Sequence, residues 1–159
     1  MASRKPQDLT PALEEIHRVW LINCTEAGLN VITTCTARSF QEQMSLYAQG
    51  RQPLDEVNRL RFLAGLPPIT EKENSYKVTW TMASKHIVNL YDDLPNNDKA
   101  YAFDFAIVKD KKVIWDVKVS LDGDDLPDYQ EAGEIGESLG LKWGGRWKSP
   151  DYPHLELIV

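Results

Sequence analysis

Apolar side chains recur at helical spacing near the start of the chain: Leu13, Ile16, His17, Trp20, Leu21, Cys24 and Ala27 form one stripe. Such a stripe predicts a helix with one buried face. Thr10 followed by Pro11 supplies an N-cap and a first-turn proline, and Gly28 stops the run. The β-branched "LNVITTCTA" that follows predicts a strand. Ser39 with Glu42 forms a capping-box pattern opening a helix over "FQEQMSLYAQG", which Gly50 closes. Residues 52–76 are mostly polar, with a short helical pattern in "LDEVNRLRFLAG" and a break at Pro67-Pro68. "YKVTWTM" alternates and predicts a strand. "AYAFDFAIV" and "VIWDVKV" predict two more, joined through "KDKK". "LPDYQEAGEIGESLG" predicts a helix from near Pro127 to Gly140, and "HLELIV" a final strand. Helices first and mostly antiparallel strands afterwards predict one small α+β domain.

The remaining sequence-wide properties narrow this picture. With 159 residues, the chain is long enough for a proper core. A formal net charge of -6 argues against a nucleic-acid binder, which carries a basic patch or stripe. The N-terminal segment has basic residues but no apolar signal-peptide core. No window approaches 18 consecutive apolar residues, so neither a signal peptide nor membrane insertion is expected. Cys24 and Cys35 have no metal-ligand or disulfide-framework spacing and are expected as small core residues.

Candidate chemistry centres on the histidines, of which there are three. His17 belongs to the first helix's apolar stripe and is expected to pack there. His86 and His154 fall at a strand edge or loop. Asp104 interrupts the apolar "YAFDFAI", where an uncompensated carboxylate costs several kcal/mol. Two imidazoles and a carboxylate with an open fourth position suit a catalytic zinc ion. Their wide sequence separation does not by itself choose between a metal site and separate polar roles.

Longer motifs add to this. "TARSFQEQMSLYAQGR", "TWTMASKH", "AFDFAI" and "GLKWGGRWKSPDYPHLEL" resemble the zinc D-Ala-D-Ala carboxypeptidase and L-alanyl-D-glutamate endopeptidase family (peptidase family M15), most closely its phage endolysin branch. The resemblance implies the hedgehog/DD-peptidase type of fold, with helices on a mostly antiparallel sheet. It implies His86, Asp104 and His154 as zinc ligands, Asp151 as general base, and Arg38 as the cation facing developing negative charge. Ser84 is implied as a neighbour supporting the His86 loop. Glu156, two residues after His154 and on the same strand face, could orient that imidazole. Each has a plainer alternative: a turn residue for Asp151, a structural ion pair for Arg38, a loop cap for Ser84, and a surface or core-edge carboxylate for Glu156. Trp143 and Trp147 read as core or cleft-wall packing.

Two stretches depart from the family pattern. Residues 87–99 lengthen the segment between His86 and Asp104, with Pro95 and Asn96-Asn97-Asp98 suiting a loop and Ala100 standing where the family has glycine. Residues 52–76 form a second insertion. In "SLDGDDLPDY", Ser120, Asp122 and Asp124 alternate, with Asp128 close behind. That is half of a calcium loop, although Asp125 replaces its glycine. Calcium regulation is one reading and an acidic, helix-capping turn the other. The resemblance implies a monomeric, zinc-dependent peptidoglycan endopeptidase that cuts the L-Ala–D-Glu bond. As a phage lysin it would accumulate in the host cytoplasm and need a holin to reach the wall. The alternatives are a D-Ala-D-Ala carboxypeptidase and a non-catalytic zinc-binding module.

Overall fold

The structure, a computed structural model, describes residues 2–89 and 96–159. Helix α1 spans Pro11–Glu26, with Thr10 Oγ1 accepting from Leu13 N at 3.3 Å. Strand β1 (Val31–Cys35) follows, then α2 (Phe40–Ala48), capped by Ser39 Oγ accepting from Glu42 N. Helix α3 covers Leu54–Leu63. Strands β2 (Ala102–Lys109) and β3 (Lys112–Ile114) form a hairpin. Asp110 and Lys111 both have positive φ at its tip, the backbone that a two-residue hairpin turn demands. Helix α4 (Asp128–Ser138) and the short strands β4 (Lys142–Trp143) and β5 (His154–Glu156) complete the chain.

All strand pairings are antiparallel, in the order β1-β2-β5-β4, with β3 also on β2. Successive residues of β2 point to opposite faces. Phe103 and Phe105 enter the core with Trp20, Tyr129 and Leu155, which puts Asp104 on the other face. Trp20 Nε1 donates to Ala132 O at 2.9 Å and ties α1 to α4 beneath the sheet. This is the α+β arrangement expected.

Three predicted strands change. "YKVTWTM" forms no strand, and its Val78 and Trp80 are exposed. Its alternation is genuine, but Arg51 donates to Thr79 O and Gln43 to Thr81 O, occupying carbonyls that a ladder would use. "VIWDVKV" is cut short after Ile114 because Asp116 folds the chain back, accepting from Lys118 N. "HLELIV" is regular only over His154–Glu156. The stretch 52–76 contains α3 and a 3₁₀ turn at Glu73–Ser75. Of the loop 87–99, residues 90–95, including Pro95, lie outside the described residues. Ala100 is fully buried, bridging Leu9.

His17 packs edge-on against Phe103, with ring centroids 4.7 Å apart, and lies 2.7 Å from Thr33 Oγ1. Burial lowers its pKa to about 4 from 6.5. Below pH 6.5 the unfolded chain gains a proton that the fold refuses. His17 therefore leaves stability intact above pH 6.5 and erodes it as pH falls toward 4. Denaturant unfolding should show about 2.5 kcal/mol of this loss at pH 4.5, absent from His17→Gln. Equal pH slopes for the two proteins would contradict it.

Candidate active site

The pairing register brings the site together. Asp104 pairs with His154 on β5 and, on its other edge, with Cys35 on β1. A bulge between Thr33 and Cys35 sets that second pairing. His86 arrives on a loop bonded to the chain just after β1: Arg38 N donates to His86 O, and Val88 N to Arg38 O.

Three side-chain atoms converge. His86 Nε2 lies 3.1 Å from Asp104 Oδ1, and His154 Nδ1 lies 3.0 Å from the same oxygen. The two nitrogens are 3.2 Å apart. Each imidazole is fixed from behind. His86 Nδ1 donates to Thr36 O at 2.7 Å, and His154 Nε2 donates to Glu156 Oε1 at 3.1 Å. Those bonds aim the remaining nitrogen of each ring at Asp104. Glu156 is itself held by Lys85 at 2.6 Å.

The charges reinforce one another. Burial works against ionised Asp104, but the two imidazoles outweigh it and hold the carboxyl well below its usual range. Burial likewise opposes protonation of His86 and His154, yet Asp104 pulls both pKa values up, assisted at His154 by Glu156. Burial also opposes the charge on Glu156, which His154 and Lys85 nevertheless bring down to about 2.

Asp151 has a carboxylate oxygen within 4.8 Å of ligand atoms of both Asp104 and His154. It opens a tight turn in which His154 N donates to Asp151 O, and its own N donates to Gly144 O. A Cβ at Gly144 would stand 2.5 Å from Asp151 O, so the turn depends on that glycine. Asp151 is exposed at the cleft mouth, yet the protein packed around its carboxyl, with the charge of Asp104, raises its pKa; His154, His86 and Arg38 partly offset this. Trp143 anchors the same turn from below by donating to Tyr152 O at 2.8 Å.

Arg38 lines the same cleft of about 450 Å³. Its guanidinium donates to Gln43 Oε1 at 2.7 Å, while its Nε is buried without a hydrogen-bond partner among the described residues. Ser84 lines the cleft and caps the histidine loop, accepting from His86 N at 3.3 Å. Trp143 is core; Trp147 forms cleft wall, its ring centroid 5.0 Å from that of His154.

Gln43 and Lys85 escaped the sequence reading. Gln43 is fully buried on α2, and a polar residue on a helix's inner face is the signal that could have found it. Cys35 was expected as core alone; it is buried, but its Sγ also stands 3.6 Å from His86 Nδ1, behind the ring. At the acidic turn, Asp124 serves the backbone by accepting from Leu126 N. Glu131, not Asp124, joins Asp122 and Asp128 in the cluster there. Burial and the three aspartates push the Glu131 carboxyl up to about 7.

Comparison with known proteins settles the family. A peptidase M15 family model, described as D-alanyl-D-alanine carboxypeptidase, matches residues 96–157. Peptidoglycan L-alanyl-D-glutamate endopeptidase CwlK of Bacillus subtilis (strain 168) is 32% identical over 155 residues, covering 96% of this chain and 75% of that protein. The chain belongs to the M15 peptidase family. Members of that family are zinc metallopeptidases. The crystal structure of Serratia marcescens L-Ala D-Glu endopeptidase ChiX shares the fold of this M15 peptidase, with a TM-score of 0.54 and 18% identity, covering 99% of this chain and 89% of that one.

In this M15 peptidase, Gln43 both holds Arg38 and donates to Thr81 O, so its loss should loosen the cleft without touching the histidines. Gln43→Ala should lower kcat/KM about 3- to 10-fold, the equivalent of one or two hydrogen bonds, at unchanged metal content. An unaltered kcat/KM would contradict that role.

Proposed function

We propose that the chain is a zinc-dependent endopeptidase that hydrolyses the L-Ala–D-Glu bond of peptidoglycan stem peptides. The observation that carries this reading is the triangle of His86 Nε2, Asp104 Oδ1 and His154 Nδ1, with edges of 3.0–3.2 Å. Ligands bound tetrahedrally at zinc distances stand about 3.3 Å apart, so the donor set fits with little adjustment. The substrate assignment is supported by the activity for which the Bacillus and Serratia proteins are named.

His86, Asp104 and His154 would hold the zinc, which would supply Lewis acidity toward the scissile carbonyl and lower the pKa of water to about 7. The chain's own residues do the rest. Asp151, beside the open side of the triangle, takes the proton of the attacking water and returns it to the departing amine. Its raised pKa suits a group that must both accept and release a proton. Arg38 faces the negative charge that develops on the carbonyl oxygen. Glu156 and Lys85 keep His154 in the tautomer that leaves Nδ1 free, and Ser84 holds the His86 loop.

A D-Ala-D-Ala carboxypeptidase would use the same groups, and the description of the matching family model favours it as the second reading. A non-catalytic zinc module would need neither Asp151 nor Arg38 in the cleft. In the favoured reading the enzyme acts as a monomer and residues 52–76 and 87–99 are insertions in one catalytic domain. The endolysin-like motifs support a lytic role, with a holin giving access to the wall.

Metal-stripped protein incubated with purified Gram-negative peptidoglycan should release stem peptides beginning at D-Glu only after zinc is restored, as read by mass spectrometry. Asp151→Asn should bind zinc as before and lose at least about 100-fold in turnover. Release of terminal D-Ala alone would replace the endopeptidase with the carboxypeptidase, and full activity in Asp151→Asn would remove Asp151 from the mechanism.

A further inference from the structure

Beyond the histidines the cleft opens into a second cavity of about 580 Å³. Val78, Thr79, Thr81, Trp147 and Asp151 line both spaces, so the two cavities are adjacent. The far part is walled by Trp80 and Trp147, with Lys77 and Lys148 alongside. Trp80 is 61% exposed and Val78 48% exposed. Water contact over so much apolar surface is unfavourable, at about 25 cal/mol per Å², and exposed aromatic surface in a groove suits a ligand.

The segment carrying Trp80 is also held in place. Arg51 donates to Thr79 O at 3.0 Å, and its guanidinium lies 3.8 Å from the Tyr47 ring centroid and 5.6 Å from that of Trp80. Gln43 holds Thr81 O and the Thr79 hydroxyl. A braced, exposed indole is prepared for binding, because little ordering remains to be done when a ligand arrives.

We propose that this second cavity is a saccharide subsite that receives the amino sugar bearing the stem peptide. The inference rests on the L-Ala–D-Glu reading. Cleavage at that bond leaves one amino acid, roughly 3.5 Å of chain, and the sugar's lactyl link between the scissile carbonyl and the pyranose ring. The second cavity adjoins the histidine cleft, with Val78, Thr79, Thr81, Trp147 and Asp151 lining both. The C–H faces of a pyranose carry partial positive charge and complement the negative face of an indole. Trp80 and Trp147 supply the indoles, while Lys77 and Lys148 supply donors for hydroxyl and acetamido oxygens.

The test compares zinc-loaded full-length enzyme on two soluble substrates, a disaccharide-linked stem peptide and the same peptide N-acetylated without sugar. Wild type should prefer the sugar-bearing form. Trp80→Ala should lose about 10-fold in kcat/KM on that form, about 1.4 kcal/mol of binding, and stay within about two-fold on the free peptide. Trp80→Phe, keeping a ring, should recover part of the loss. Equal losses on both substrates, or none, would overturn the subsite. A Lys77→Ala/Lys148→Ala enzyme impaired chiefly on the free peptide would assign the cavity to the acidic stem and overturn it as well.

Titration with the disaccharide N-acetylglucosaminyl-N-acetylmuramic acid alone separates this inference from the reading beneath it. The indole N–H signals of Trp80 and Trp147 should move in the nuclear magnetic resonance spectrum even if neither substrate is cut at L-Ala–D-Glu. Static signals would sink the subsite whatever bond the enzyme cleaves.

Discussion

A carboxylate on the central strand is the constraint around which this protein is built. Asp104 lies between Phe103 and Phe105, both fully buried, on a strand paired along both edges. Alone there, its charge would cost several kcal/mol. Two imidazoles converge on one of its oxygens and make that charge favourable, while its own field raises their pKa values. The strand pairings needed to bury the phenylalanines on one face are the same pairings that deliver His154 and Cys35 to the row of Asp104 on the other. Core packing and site assembly are one requirement.

Around that centre each functional side chain has a dedicated support. Thr36 O and Glu156 set the two imidazoles, Lys85 sets Glu156, and Gln43 joins Arg38 to the opposite wall. The turn from Asp151 to His154 rests on Trp143, whose indole is enclosed by Gly133 and Gly145; a Cβ on either would come within 2.2 Å of the ring. These contacts fix the rotamers of the two imidazoles and the position of Asp151 within the cleft.

The legibility of these parts in the sequence follows from how local their causes are. Helices α1 and α2 were readable because caps and periodicity lie within each segment. The three convergent residues are readable because a carboxylate inside the apolar "AFDFAI" is anomalous on any account and because their flanking motifs resemble a known family. "YKVTWTM" was misread because its fate is decided by Gln43 and Arg51, some thirty residues upstream. Strand β4, of two residues, is too short for any period to register. The placement of Cys35 behind His86 depends on a bulge that the alternation of "VITTC" does not announce. Glu131 joins the acidic turn from the first turn of α4, a juxtaposition made by folding.

The central claim is that His86, Asp104 and His154 form a three-point donor set for zinc with its fourth side open to the cleft. X-ray absorption at the zinc edge of the loaded, ligand-free protein tests it most directly. The account predicts four nitrogen or oxygen neighbours at about 2.0–2.1 Å, with the outer-shell scattering of two imidazoles. A sulfur neighbour at about 2.3 Å would place Cys35 on the metal and contradict the arrangement.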